Sequence, residues 1–171
     1  MPPAECWRVN AATPMNDAQK KVLNRLEALC ARREYCSSDI LKKAVDRLDG
    51  DTAAAAQLLD SLKAGGYVDD LRYASAFARE KSSVTGWGEM KIRFALRAKR
   101  IDESIIVQAL NEIDCHKSAE KLERLLAVRW RSLRGTDDAK LKLIRFALSR
   151  GYEYDEVRPA VEKVTCENQA I

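Results

Sequence analysis

Apolar side chains recur along this chain at helical spacing, and the same patterns return at a much longer interval. The pentapeptide Ile92-Arg93-Phe94-Ala95-Leu96 reappears as Ile144-Arg145-Phe146-Ala147-Leu148, 52 residues on. One step back by that interval from its first and last residues lands on Ile40 and Ala44. A second set steps by 51 and joins Ala55, Ile106 and Val157, then Leu58, Ala109 and Ala160, then Leu59, Leu110 and Val161, then Leu62, Ile113 and Val164. Apolar residues spaced i, i+3, i+4 mark the buried stripe of an amphipathic helix. Recurrence of such stripes at this period marks a repeated supersecondary unit that buries its apolar face against neighbours. The pattern predicts an all-α protein, an elongated curved stack of three tandem three-helix repeats. The one-residue difference between the two spacings is read as a connection that shortens by one residue at each step, which a surface loop tolerates.

Helix start and stop signals divide the chain into a loose lead at 1–16, which includes Trp7, repeats at 17–66, 67–113 and 114–165, and a tail at 166–171. The first repeat is expected to hold helices from about Asp17 to Arg33, Ser38 to Leu48 and Thr52 to Ala64, ended by Gly65-Gly66. Ser37, Ser38, Asp39 and Thr52 are candidate caps, as are Asp69-Asp70 for the helix running to about Ser83. Gly86-Trp87-Gly88 breaks the chain before a helix from Glu89 to Lys99, and Asp102-Glu103-Ser104 opens the next. The third repeat is expected at Ser118–Leu133, from Asp137-Asp138 to Arg150, and at Asp155–Val164, with Gly151 as a left-handed stop. Pro159 fits the last helix at little cost if it falls near the first turn.

Composition sharpens this reading. Aromatic residues are 6% and charged residues 33% of the 171, which suits helices and disfavours sheets. No apolar run is long enough to span a bilayer and the opening residues lack the order of a secretory signal, so a cytoplasmic protein with no membrane partner is expected. Five scattered cysteines, Cys6, Cys30, Cys36, Cys115 and Cys166, show no metal or redox spacing and read as thiols. The single histidine, His116 beside Cys115, leaves no acid/base or triad scheme, and Asp69-Asp70 and Asp137-Asp138 read as caps rather than as an acid pair. An enzyme, a cofactor, a metal site and a small-molecule substrate are therefore not expected.

The basic residues carry more information. Arg93, Arg97 and Arg100 fall at i, i+4 and i+7 of one predicted helix, and Lys142 and Arg145 are assigned to the related face of the third repeat. Lys91, Lys99, Arg129, Arg131, Arg134 and Arg150 lie around them, while Asp46, Asp49, Asp51, Asp60, Asp69 and Asp70 gather near the end of the first repeat. The site expected for an acidic protein surface or for DNA is Lys91, Arg93, Arg97, Arg100, Arg131, Arg134, Lys142, Arg145 and Arg150. A net charge of only +4 argues against tight DNA binding by the chain alone and for weak, salt-sensitive contact with single-stranded or double-stranded DNA. Trp87, Trp130, Tyr67, Tyr73 and Tyr152 have faces that could stack on bases, but packing is the expected use of each.

Arg32-Arg33-Glu34-Tyr35-Cys36, Gly66-Tyr67-Val68-Asp69-Asp70-Leu71-Arg72-Tyr73-Ala74, Gly86-Trp87-Gly88 followed by Ile92-Arg93-Phe94-Ala95-Leu96, and Arg150-Gly151-Tyr152 occur in an order that resembles the RecX family of recombination regulators. The resemblance spans roughly residues 17 to 164 and implies tandem three-helix modules in a curved rod. It also implies binding to the filament of the RecA recombinase on single-stranded DNA and restraint of filament growth, ATP hydrolysis and strand exchange, with no catalytic residue to carry over; a monomer is expected separately, since a rod demands no closed symmetry. The chain departs from the family's pattern at Arg100, where a glycine is common, and at Ser149, where a basic match for Arg97 is missing. The alternatives are a helical nucleic-acid-binding module that acts without a recombinase and a helical adaptor for unrelated proteins.

Overall fold

The computed structural model describes residues 15–133 and 135–167; Trp7, Cys6 and Arg134 lie outside them. The described residues form nine α-helices and one π-helical turn, with no strand among them. The first trio is α1 (Asp17–Cys30), α2 (Ser37–Arg47) and α3 (Thr52–Ala64). The second is α4 (Asp70–Glu80), α5 (Glu89–Ala98) and α6 (Glu103–Asn111), with the π turn Lys81–Thr85 between its first two helices. The third is α7 (Cys115–Leu133), α8 (Ala139–Ser149) and α9 (Tyr154–Glu167). Within the first and third trios each helix packs on both others, and in the second α6 packs on both α4 and α5. The chain divides into two compact units, Met1–Asp69 with the first trio and Asp70–Ile171 with the other two.

In the first unit, Leu26, Ile40, Ala44, Ala55, Leu58 and Leu62 are fully buried in one core. Asn16, the last residue of the expected loose lead, opens α1 with a capping box: its side chain accepts from the Gln19 N–H at 2.8 Å and the Gln19 side chain accepts from the Asn16 N–H at 2.8 Å. For α3 the cap is Asp51, which accepts from the Ala54 N–H at 2.9 Å, and the expected cap Thr52 is the first helical residue. Ser37, Ser38 and Asp39 likewise lie inside the first turn of α2, whose cap position is Cys36.

Two further caps differ from expectation. In the third trio α7 begins at Cys115, one turn before Ser118, because the Asp114 carboxylate accepts from the Lys117 N–H at 3.2 Å. Asp138 stands at the cap of α8 with φ +59° and its side chain makes no cap hydrogen bond. Pro159 is the sixth residue of α9, in the second turn, so its missing N–H does leave an interior carbonyl without its helical partner.

The repeat is preserved in three dimensions with one change of register. The buried residues Ile92 and Leu96 of α5 are matched in α8 by Leu143 and Ala147, 51 residues later, not by Ile144 and Leu148. The left-handed stops agree: Arg100 has φ +58° and Gly151 φ +88°. The bonds that close the two helices agree as well, Ile101 N–H to Leu96 C=O at 3.3 Å and Tyr152 N–H to Ala147 C=O at 3.4 Å. The two copies of the pentapeptide are therefore rotated by one residue, about 100° around their helices. Leu96 is fully buried whereas Leu148 is 41% exposed. No shortening occurs between the second and third trios, since the third-helix residues Ile106 and Val157 are also 51 apart and both fully buried. The one-residue change lies at the first step, where Ile40 and Ala44 are 52 from Ile92 and Leu96, and two consecutive residues, Asp49 and Gly50, take positive φ after α2.

The second and third trios are joined through backbone. The Gly88 N–H donates to the Arg150 carbonyl at 2.9 Å and the Met90 N–H to the Gly151 carbonyl at 3.1 Å. A Cβ on Gly88 would stand 2.3 Å from the Gly151 oxygen, and one on Gly151 would stand 2.4 Å from the Lys91 Cβ, so only hydrogen fits at either position. The Arg150 guanidinium donates to the Thr85 carbonyl at 2.7 Å and the Lys91 ammonium to the Ser149 carbonyl at 3.3 Å. The π turn reaches this junction because two hydroxyls compete for helix carbonyls, Ser83 donating to Arg79 and Thr85 to Lys81, before Gly86 reverses the chain with φ +65°.

Candidate interaction surface

The nine basic residues expected to form one site separate into distinct environments. Arg93 and Arg97 are held within the second trio: the Glu103 carboxylate of α6 accepts from Arg93 and, at 2.8 Å, from Arg97 Nε, and Glu89 accepts from Arg93 at 2.7 Å. The Arg97 hydrogen bond, followed by that of Arg93, holds the Glu103 carboxyl below the ordinary carboxylate range. Glu89 and then Glu103 hold the Arg93 guanidinium above its ordinary value. These cations are thus partly neutralised by their own neighbours. Arg100 is exposed but lies beyond the end of α5 in a left-handed turn, so it does not extend the Arg93–Arg97 stripe.

Lys91 and Arg150 belong to the junction just described. Lys91 also lies 4.8 Å from the Trp87 ring centroid, and Arg150 lies 5.2 Å from that of Phe146. Arg129, exposed on α7, covers the same Phe146 ring at 5.8 Å. Lys142 donates to the Asp137 carbonyl at 2.8 Å. Arg131 and Arg145 are exposed on α7 and α8. In the observed register Lys142 stands where Lys91 stands, and Arg145 stands where Phe94 does; the expected match of Arg145 with Arg93 is displaced by the same single residue that shifts the pentapeptide.

In the observed register the middle helices present apolar groups as well as charge. On α5 the solvent side carries Met90, 50% exposed, and Phe94, 75% exposed, with the exposed Arg97 one turn on. The same turns of α8 carry Leu141, Arg145 and Leu148. Both middle helices of this unit therefore turn outward a short face of two large apolar side chains and one arginine, whereas the equivalent positions of α2 are Ser38, Lys42 and the half-buried Val45. The periodic signal for Phe94 was present in the sequence: it lies two residues from both Ile92 and Leu96, on neither of their helical neighbours' positions.

Other features bear on what the surface can do. Trp130 and Tyr152 are buried, as packing predicts, and burial pushes the Tyr152 hydroxyl above its ordinary value. Tyr73 and Trp87 remain half-buried. Burial likewise raises the Cys36 thiol. No group of three or more potential metal ligands occurs among the described residues, and no helix among them is long and apolar enough to cross a membrane.

Comparison with known proteins agrees with this architecture. A family profile described as "RecX, second three-helix domain" matches residues 69–110. A regulatory protein RecX of Chromohalobacter salexigens is 33% identical over 152 residues, covering 88% of this chain and 91% of its own length. One from Clostridium botulinum (strain Alaska E43 / Type E3) is 32% identical over 86% of this chain and 75% of its own. A crystal structure of regulatory protein RecX superposes with a TM-score of 0.77 at 25% identity, covering 86% of this chain and 72% of that one. RecX from Lactobacillus salivarius, at 18% identity and a TM-score of 0.73, shares the fold. With trios of helices in tandem and relatives more than 30% identical over 91% and 75% of their own length, the chain belongs to the RecX family of regulatory proteins.

Proposed function

We propose that this chain regulates a RecA recombinase by binding its filament on single-stranded DNA and restraining ATP hydrolysis, filament extension and strand exchange. It acts by binding, as a cytoplasmic monomer, and not by catalysis. Membership of the RecX family supports the partner, and the outward faces of α5 and α8 support the mode. The observation that carries the reading is the paired display of Met90, Phe94 and Arg97 on one helix and Leu141, Arg145 and Leu148 on the next, at equivalent turns. Exposed large apolar groups beside arginine are the composition of protein interfaces rather than of solvated helix faces. Two such faces in one unit bind as linked events, so modest contacts add to a useful affinity.

The test is ATP hydrolysis by RecA on single-stranded DNA with sub-stoichiometric amounts of this protein. Inhibition by the wild type and its loss in Phe94→Ala/Arg145→Glu support the reading. An unchanged ATPase with the wild type defeats it, and full inhibition by the double variant removes these faces from the mechanism.

A further inference from the structure

Three aromatic rings outside the buried cores form a row on the second trio. Tyr73 and Phe77, one turn apart on α4, lie nearly parallel with centroids 6.0 Å apart and planes at 23°. Phe77 meets Trp87 edge to face at 6.4 Å and 72°. All three are half-buried, unlike Tyr35, Trp130 and Tyr152, whose rings are enclosed in packing. The row is also bordered by cations. The Lys81 ammonium lies 5.3 Å from the Phe77 centroid and 5.6 Å from that of Trp87, and the Lys91 ammonium lies 4.8 Å from the Trp87 centroid on the α5 side.

The π turn is part of this arrangement. Lys81 is its first residue, and the Trp87 N–H donates to the Lys81 carbonyl at 2.9 Å, which fixes lysine and indole on the same side of the reversal. Of these lysines, Lys81 has an acidic partner, Glu80 at 3.0 Å, an exposed pair of little strength; Lys91 donates to a backbone carbonyl and so keeps its full charge.

We infer that the Tyr73–Phe77–Trp87 row, with Lys81 and Lys91 beside it, is a binding platform for the unpaired bases of a single-stranded nucleic acid. Flat π surfaces in a row accept bases of any identity, and ammonium groups resting near the rings are positioned to move onto the phosphates that follow the stacked bases. Bases within a duplex offer edges in grooves and no free face, so a duplex gains only the charge attraction. The platform would add a direct strand contact to the regulatory reading without depending on it.

The experiment uses the full chain with fluorescein-labelled 20-nucleotide oligo(dT), followed by anisotropy at low salt, with no recombinase in any arm, so its outcome is separate from that of the ATPase test. Wild type should bind, and Trp87→Leu should weaken binding by about ten-fold, the loss of roughly one base stack. Trp87→Phe should recover most of it. Lys81→Gln and Lys91→Gln should each lower the slope of log affinity against log salt by about 0.7. Oligo(U) competing as well as oligo(dT) is the result expected of base stacking, and discrimination between them by more than ten-fold overturns it in favour of sugar recognition. Equal competition by a 20-base-pair duplex, or by an acidic peptide of matched charge, overturns it in favour of plain electrostatics. Should Trp87→Leu fail to fold, the indole N–H resonance of Trp87 in the wild type decides: it shifts on addition of oligo(dT) if the platform is used and stays in place if it is not.

Discussion

Arg100 and Gly151 stand at the same turn of consecutive repeats in the same left-handed backbone conformation, with φ +58° and +88°. Glycine adopts that conformation without a Cβ clash, while an arginine there carries about 1–2 kcal/mol of strain. The unfolded chain gains freedom when glycine is introduced, which returns about 0.4–1 kcal/mol of that benefit. Arg100→Gly is therefore expected to stabilise the protein by up to about 1.5 kcal/mol. Urea unfolding checks it, and a lowered midpoint would show that the arginine side chain makes up for its backbone.

The register of the third repeat is testable with two leucines that the sequence alone does not rank. Leu143 is fully buried and Leu148 is 41% exposed. Leu143→Ala should cost about 2–5 kcal/mol through lost burial and a cavity. Leu148→Ala should stay within about 0.5 kcal/mol. Thermal or urea unfolding of the two variants decides, and the reverse order would restore the pentapeptide's own alignment.

Glu103 gives a pH signature. Its carboxyl titrates below its ordinary value of 4.5 in the folded chain, chiefly because Arg97 and then Arg93 donate to it. A depressed folded value means that its contribution is present above the unfolded value, near 4.5, and is lost as the pH falls below 4.5 through the folded value. In Arg97→Gln the carboxyl should titrate closer to 4.5, as read by carboxyl-carbon NMR; an unmoved titration would mean that Arg93 alone sets it.

The junction between the second and third trios depends on an absent side chain. Gly88→Ala would place a Cβ 2.3 Å from the Gly151 oxygen, a contact that backbone must move to relieve. The expected cost is about 1–3 kcal/mol. Hydrogen exchange locates it: the amides of residue 88 and Met90, which donate to Arg150 and Gly151, should exchange at least about five-fold faster, each ten-fold being about 1.4 kcal/mol. Unchanged exchange would place the accommodation elsewhere.

Much of this architecture is legible in the residues. Ala55, Ile106 and Val157 fall at one interval because they meet one requirement, a buried position on the third helix of a trio, and all three are fully buried. Gly151 is legible as a stop for the same kind of reason, since a left-handed residue after a helix favours glycine. The register of α8 is not legible from letter identity, because the buried pair Ile92 and Leu96 finds apolar partners in either alignment, Leu143 and Ala147 or Ile144 and Leu148, and only packing against α7 and α9 selects the first. The fate of the arginines is hidden for a different reason. Glu103 lies ten residues from Arg93, and nothing local announces that the loop between α5 and α6 brings its carboxylate back to both Arg93 and Arg97. The cap of α3 fails by a single residue, Asp51 for Thr52, and the start of α7 by a full turn, Asp114 accepting where Ser118 is the expected start of the helix, because polar candidates stand near each other and loop geometry chooses.

The seat of one trio on the next is built from main-chain atoms at Gly88, Met90, Arg150 and Gly151. Such a seat is indifferent to most changes of side chain around it. The surfaces on either side are thus free to drift toward new partners while the angle between the two modules stays put, and the whole cost of that freedom falls on a pair of sites where nothing larger than hydrogen is admitted.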